Sequence, residues 1–400
     1  MRSCLSIFAL VALACPTQAD DAAATLEKLL HAGKLAEAEQ AVQQLVSAAP
    51  NDAQAHFALG VAQFLRAVEN LGQAMYEYGA VSENASQMFL RLPVPQNPQP
   101  SAISYRSLGR VLEVMLADLA RAEATLARVT NDDVELPLRL AGITFDFTGT
   151  GENTTSLVSV LQRLNDNTRP GFLQRNDEFL VHFDRGDVAW LRGYCNLLSA
   201  AIEGYRAVDE SAGFTQRVSR VFPRVESSED PPRERWWEDG LAITDPIRMG
   251  RLRQHLVAVC RLNEETWAHI RAETDDNHEW LPHPKQTDML GMPLDDSRID
   301  IWLATMKHLE ELLTGERLVP SALLQFISRN NQPNMGLNLA KLLDNPPRDL
   351  LNLRRLSTEG VSNAFLESET DREVMDLAVI FRVSQVFSGP FGVFQAARLN

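Results

Sequence analysis

The 400-residue chain has no apolar run of about eighteen residues, the length a helix needs to cross a bilayer. Its most apolar later stretch, Val188 to Ile202, is interrupted by Arg192 and Asn196. Complete catalytic signatures are missing too: there is no GxSxG elbow, no GxxxxGKS or GxxxxGKT phosphate loop and no HExxH. Cysteine is scarce. Of four, Cys4 and Cys15 lie in the amino-terminal apolar segment, leaving Cys195 and Cys260, which excludes a disulfide-dense scaffold. Those two can bond only if folding brings them together, and spacing does not decide that. Basic charge is in deficit, 38 Lys and Arg against 53 Asp and Glu, for a formal net charge of -15. Phosphate backbones and anionic lipid surfaces are repelled by such a field, which argues against nucleic-acid and membrane-surface roles. The best basic group, Arg348 with Arg354 and Arg355, lies among leucines in a helical pattern and reads as a solvated helix edge.

The amino terminus has the layout of an export signal. Arg2 precedes an apolar run from Leu5 to Ala14, Pro16 ends any helix, and Thr17 and Ala19 take the small-residue positions before a cleavage site. Cleavage is expected after Ala19, making residues 1–19 a signal peptide and the mature chain secreted or periplasmic. Ala12 to Cys15 also approximates a lipoprotein box, with alanine where a bulky aliphatic is usual, so a lipid anchor at Cys15 is the alternative. Removing Arg2 with the leader takes the formal net charge from -15 to -16.

Residues 24–49 place Leu26, Leu29, Leu30, Leu35, Ala38, Val42 and Leu45 at helical spacing, punctuated by Gly33 and Pro50. This is helix, turn, helix, stop. The stretch GKLAEAEQAVQQLVSAAPND, followed by AQAHFALGVA with Leu59 and Gly60, resembles the tetratricopeptide repeat over residues 22–80. Ala38 stands where the family's helices approach closely, and Pro50 where they part. The second hairpin, VENLGQAMYEYGA, departs from the pattern: Ala74 comes two residues late and the turn glycine is missing. The resemblance implies stacked helix hairpins and a protein partner in their groove, with His56 and Gln63 on the groove wall. About three repeats are needed to bury both faces, so a cap is required. The amphipathic stripe Leu108, Val111, Leu112, Met115, Leu119, Ala122 and Leu126 supplies one, giving a helical domain over residues 20–131.

Residues 132–400 read as a mixed α/β domain of unknown type, so the fold class is mainly α: helical hairpins, then a larger α+β part with a small sheet and several long helices. Ile143, Phe145 and Phe147 alternate with polar residues, predicting a strand from Leu138 to Phe147. Phe179, Val181 and Phe183 predict a second, followed by a helix over Val188–Tyr205. Further helices are expected from Pro246 to Thr274, across Ile299–Leu313 with Gly315 as the stop, and from Val374 to Phe387.

Several residue groups are candidates for chemistry. In DFTGTGE, Asp146, Thr148 and Thr150 sit at the first, third and fifth positions of a calcium loop, although Leu157 stands where a bidentate glutamate belongs. The same GTGENT also imitates a phosphate-binding turn, and a plain glycine turn capped by Asn153 or Thr154 is the third reading. Strand pairing is expected to bring Asp146 towards His182, Asp184 and Asp187, an acidic group suited to a metal or to acid-base work. The plainer reading is a solvated sheet face with Asp187 capping a helix. His278 and His283 lack zinc spacing and are separated by Pro282. Asp275, Asp276, Glu279 and Trp280 make a proline-rich loop of a kind that binds ligands, and Trp236, Trp237 and Trp280 are candidate aromatic contacts for a partner or a sugar.

The expected function is that of an exported, non-enzymatic protein-interaction adaptor or scaffold of a bacterial-type cell envelope. It needs no cofactor; calcium is the one cofactor the sequence offers a place for. The alternatives are a metal-supported hydrolase centred on Asp146, His182 and Asp184, and a carbohydrate or cell-wall binder.

Overall fold

A computed structural model describes residues 18–85, 90–164, 179–226, 241–286 and 295–379. The chain is mainly helical, with small two-stranded sheets. It opens with α1 (Gln18–His31) and α2 (Leu35–Ala48), which lay Leu26, Leu30, Ala38 and Val42 fully inside. Gly33 makes the turn between them at φ 67°, a conformation that costs glycine nothing sterically. The next helix, α3 (Ala53–Glu77), is capped by Asp52, whose carboxylate accepts the Ala55 N–H at 3.1 Å.

Where the sequence suggests a second hairpin over residues 68–80, α3 runs unbroken for 25 residues. No turn glycine interrupts it. Gly72 instead lies inside the helix beneath Phe147, where an added Cβ would come within 2.2 Å of the ring. The second layer comes from α4 (Tyr105–Leu126), opened by a reciprocal Ser104–Ser107 capping box. It buries Leu112, Leu119, Ala122 and Leu126 completely, and Leu126 fills the space left by the missing side chain of Gly60. The expected cap is thus in place, and each such leucine contributes about 1.5–3 kcal/mol of burial.

The strand expected over Leu138–Phe147 is two strands. β1 (Leu136–Arg139) and β2 (Thr144–Phe145) are separated by a tight turn at Leu140–Gly142, where Gly142 packs on the His31 ring and His31 Nε2 lies 2.9 Å from the Arg139 carbonyl. β2 pairs with β3 (Thr155–Ser156), which leads into α5 (Leu157–Leu164). β1 pairs antiparallel with β4 (Leu180–Phe183), Leu136 opposite Phe183. Ile143, Phe145 and Phe147 are buried as their alternation requires. One continuous buried cluster extends from Ala22 to Phe222, crossing residue 131, where the sequence suggests a boundary.

From β4 the chain enters α6 (Arg185–Ala207), then β5 (Val208–Asp209) and the short α7 (Phe214–Val218). β6 (Ala242–Ile243) pairs with β5 and precedes α8 (Pro246–Ala272), which starts on Asp245 and Pro246 as expected. Contacts Arg185–Glu265, Asn196–His255 and Glu203–Arg248 show α8 running antiparallel along α6. α9 (Asp296–Thr314) packs Ile299, Trp302 and Leu313 with Trp267 and Ile270 of α8, and stops at Gly315 with φ 81°.

A carboxyl-terminal module follows: β7 (Arg317–Leu318), α10 (Ser321–Ile327), β8 (Met335–Leu337), α11 (Leu339–Asp344), α12 (Leu353–Glu359), β9 (Leu366–Ser368) and β10 (Glu373–Val374). Its core is Leu324, Leu337, Leu342 and Leu366. Val374, expected to begin a helix, lies in β10 beside β7; residues 380–387 of that expected helix lie outside the described residues. Among the described residues no helix is long and apolar enough to cross a membrane.

Candidate functional site

The antiparallel packing of α6 and α8 brings the start of one helix to the end of the other. Asp184 caps α6 by accepting the Asp187 N–H at 3.2 Å, while Asp187 accepts the Asp184 N–H at 3.1 Å. Glu273 sits just past the last residue of α8. The chain then folds back over this junction as the segment 273–286, which buries Glu279 to 5% exposure. One carboxylate oxygen each from Asp184, Glu273 and Glu279 lie within 4.8 Å of one another. Arg185, the nearest arginine in sequence, turns away to pair with Glu265.

Three carboxyls this close cannot all ionise without a counter-charge. Burial raises Glu273 first, and a hydrogen bond shared with Asp184 raises it further, against the opposing effect of Gln286 Nε2 at 3.1 Å. Burial likewise pushes Glu279 up to about 7, opposed by the Asn277 N–H at 3.1 Å and reinforced by Asp184 and Asp275. Asp187, inside the α6 cap, is held well above the usual carboxylate range by burial and then by Asp184. Chemically the cluster can hold protons, or offer three oxygens to a hard cation that needs about six to eight.

Aromatic rings flank the carboxyls. Trp280 packs against Phe183 at 6.0 Å and Trp190 at 5.6 Å, and its buried indole N–H has no hydrogen-bond partner among the described residues. The His182 and His278 rings stack at 6.1 Å, the His182 N–H donates to the His278 carbonyl at 3.2 Å, and the His182 ring meets Glu135.

The metal group expected from sequence divides. Because β4 pairs with β1 and not with β2, Asp146 is carried away from His182, Asp184 and Asp187 and onto α3, where its N–H donates to Glu69 and its carbonyl accepts from Gln73. The Asp146 carboxylate is filled by its own loop: it accepts N–H groups of Thr148 at 3.2 Å, Gly149 at 2.9 Å and Gly151 at 2.7 Å, and the Thr148 hydroxyl at 2.9 Å. Burial alone would raise its pKa, but these donors bring it below the usual value. Thr150 Oγ1 lies 2.8 Å from Thr148 Oγ1. The loop's N–H groups and the Asp146 carboxylate thus bond to one another as in a glycine turn, with Gly149 and Gly151 both at positive φ, and Ser156, not Asn153 or Thr154, caps the following helix.

His56 and Gln63, expected on an open groove, are buried at 3% and 5% exposure. Near the start of α3 the Gln54 amide oxygen accepts the N–H of Glu135, the residue before β1. Trp236 and Trp237 lie outside the described residues. Cys195 and Cys260 are unpaired and buried. Burial raises both thiols, Cys260 to about 12, so neither is a nucleophile near neutrality. Sequence reasoning singled out Glu279 but missed Glu273, whose one local sign is its place at the end of a helix.

No protein-family model matches the chain, and neither a curated protein nor a solved structure is found similar to it.

Proposed function

We propose that this chain is an exported, non-enzymatic protein-interaction protein of a bacterial-type cell envelope, with tetratricopeptide-like hairpins as the frame of its body. The observation that carries the reading is the distribution of exposed apolar side chains. Of six large ones among the described residues, Phe326 at 87%, Leu353 at 74%, Ile327 and Leu351 all lie on the carboxyl-terminal module. Exposed aromatic and aliphatic anchors are the usual mark of a recognition surface. The buried, protonated thiols and the self-satisfied Asp146 loop favour binding over catalysis. Among the residues whose burial is described the first core residue is Ala22, so cleavage after Ala19 leaves the described core intact.

The partner this surface fits is an apolar protein segment flanked by acidic residues, since Arg348 and Arg354 border Leu351 and Leu353 in sequence. The test compares residues 20–400 with two variants, Phe326→Ser plus Leu353→Ser, and Gln40→Lys plus Gln44→Lys on the exposed side of α2. Partners are captured by cross-linking in envelope extract, and binding is then measured with the purified partner. Loss of affinity by about tenfold or more in the first variant alone is the expected result. Loss in the second alone would move recognition to the hairpins, and unchanged affinity in both would sink the reading.

A further inference from the structure

We propose that residues 273–286 form a proton-controlled strap, closed over the start of α6 while the cluster of Asp184, Glu273 and Glu279 holds protons and released when those protons leave. The inference is independent of the interaction reading above. It stands on the interface the strap makes. Glu279 is buried against a helix start that already carries Asp184 and Asp187, and Trp280 closes the same contact by packing on Phe183 and Trp190. Polar bonds of the strap include those from Gln286 to Glu273 and to the Asp275 carbonyl at 2.9 Å, and the one from the His182 N–H to the His278 carbonyl.

The charges around the junction do not neutralise it. On α6, Arg185 is committed to Glu265. Glu135, just before β1, and His182 of β4 face each other. On α8, His269 lies 3.9 Å from Asp132, and at the start of α9 Asp296 lies 3.8 Å from His283. Within the strap, Asp275 and Asp276 add negative charge and Lys285 points to solvent. Each ionisation in the cluster therefore adds repulsion that opening and hydration relieve.

The Glu279 carboxyl is raised to about 7 in the closed strap, above its unfolded value near about 4.3. Closure is then fully favoured below the unfolded value and lost as pH rises through about 7; Glu273, raised in the same direction by burial and by its hydrogen bond to Asp184, extends the loss further.

The experiment follows hydrogen-exchange protection of residues 273–286 in the full chain, corrected for intrinsic exchange, from about pH 5 to about pH 9. Residues 105–126 of α4 serve as the internal control. Protection of the strap is expected to fall by up to about tenfold per pH unit for each proton released, with α4 unchanged. Glu279→Gln and Glu273→Gln, which keep the shape without the titration, should flatten the profile and keep the strap closed at high pH. A flat profile in the native chain, or a strap already open at low pH in both glutamine variants, overturns the proposal.

Discussion

The amino-terminal body and the carboxyl-terminal module are stabilised by different means. The body encloses a cluster running from Ala22 to Phe222, with Phe145 and Phe147 stacked at 5.3 Å in its interior. The module has four buried leucine side chains at its centre and depends on polar joints. Glu367 accepts from Asn338 at 2.7 Å, Lys341 at 2.7 Å and Arg372 at 3.0 Å. Glu369 receives the N–H and hydroxyl of Ser321, and Asn331 ties Leu324 to Val361. A large core tolerates the loss of one polar contact, whereas a small one is ordered by such contacts and responds to pH and salt.

The strongest way to break this contrast is inside the body. Phe147→Ala should cost about 3–5 kcal/mol, because the ring is fully buried and its removal leaves a cavity over Gly72. Calorimetry should record a large drop in the main melting transition, and a change below about 1 kcal/mol would mean that the site collapses to fill the void. A smaller effect, confined to the module, is expected of Glu367→Gln. It should cost about 1–3 kcal/mol and raise exchange over residues 317–374 while leaving α4 protected.

The hydrogen bond to Lys341, together with those from Asn338 and Arg372, holds the Glu367 carboxyl at about 2 despite burial. The stability it adds is present above the ordinary carboxylate range and lost as pH falls through about 2. The module and the strap should therefore respond to acid in opposite directions. The smallest effect is expected of Asp146→Asn, about 0.5–1.5 kcal/mol, read as a modest shift in melting and faster exchange at residues 148–151. Unchanged exchange there would show that the turn is held by its glycines alone.

Much of the helical frame was legible because its signals are local. The stripe from Leu108 to Leu126, Gly315 as a stop and Asp245–Pro246 as a start each need only a few neighbouring residues. The length of α3 was not, since the role of Gly72, which admits Phe147 against the helix, depends on a residue 75 positions away, as 147 − 72 gives. The partition of the strands failed for a similar reason: alternation assigned Ile143, Phe145 and Phe147 to the interior but could not show that β4 would pair with β1. Glu273 joins Asp184 across 89 positions, as 273 − 184 gives, through two helices whose facing sides carry polar residues such as Asn196 and His255. Periodicity says little about contacts of that kind.

The loop after β2 has a consequence for how binding sites arise. Asp146 serves as a built-in ligand, its carboxylate seated where the N–H groups of Thr148, Gly149 and Gly151 converge. Convergent backbone N–H groups of this sort form a receptor for any small oxyanion. Shortening the plug, as in Asp146→Gly, would leave a vacant socket, and sulfate retention by that variant but not by the native chain would reveal it. The N–H groups that could receive a small oxyanion are thus occupied by a carboxylate of the protein itself.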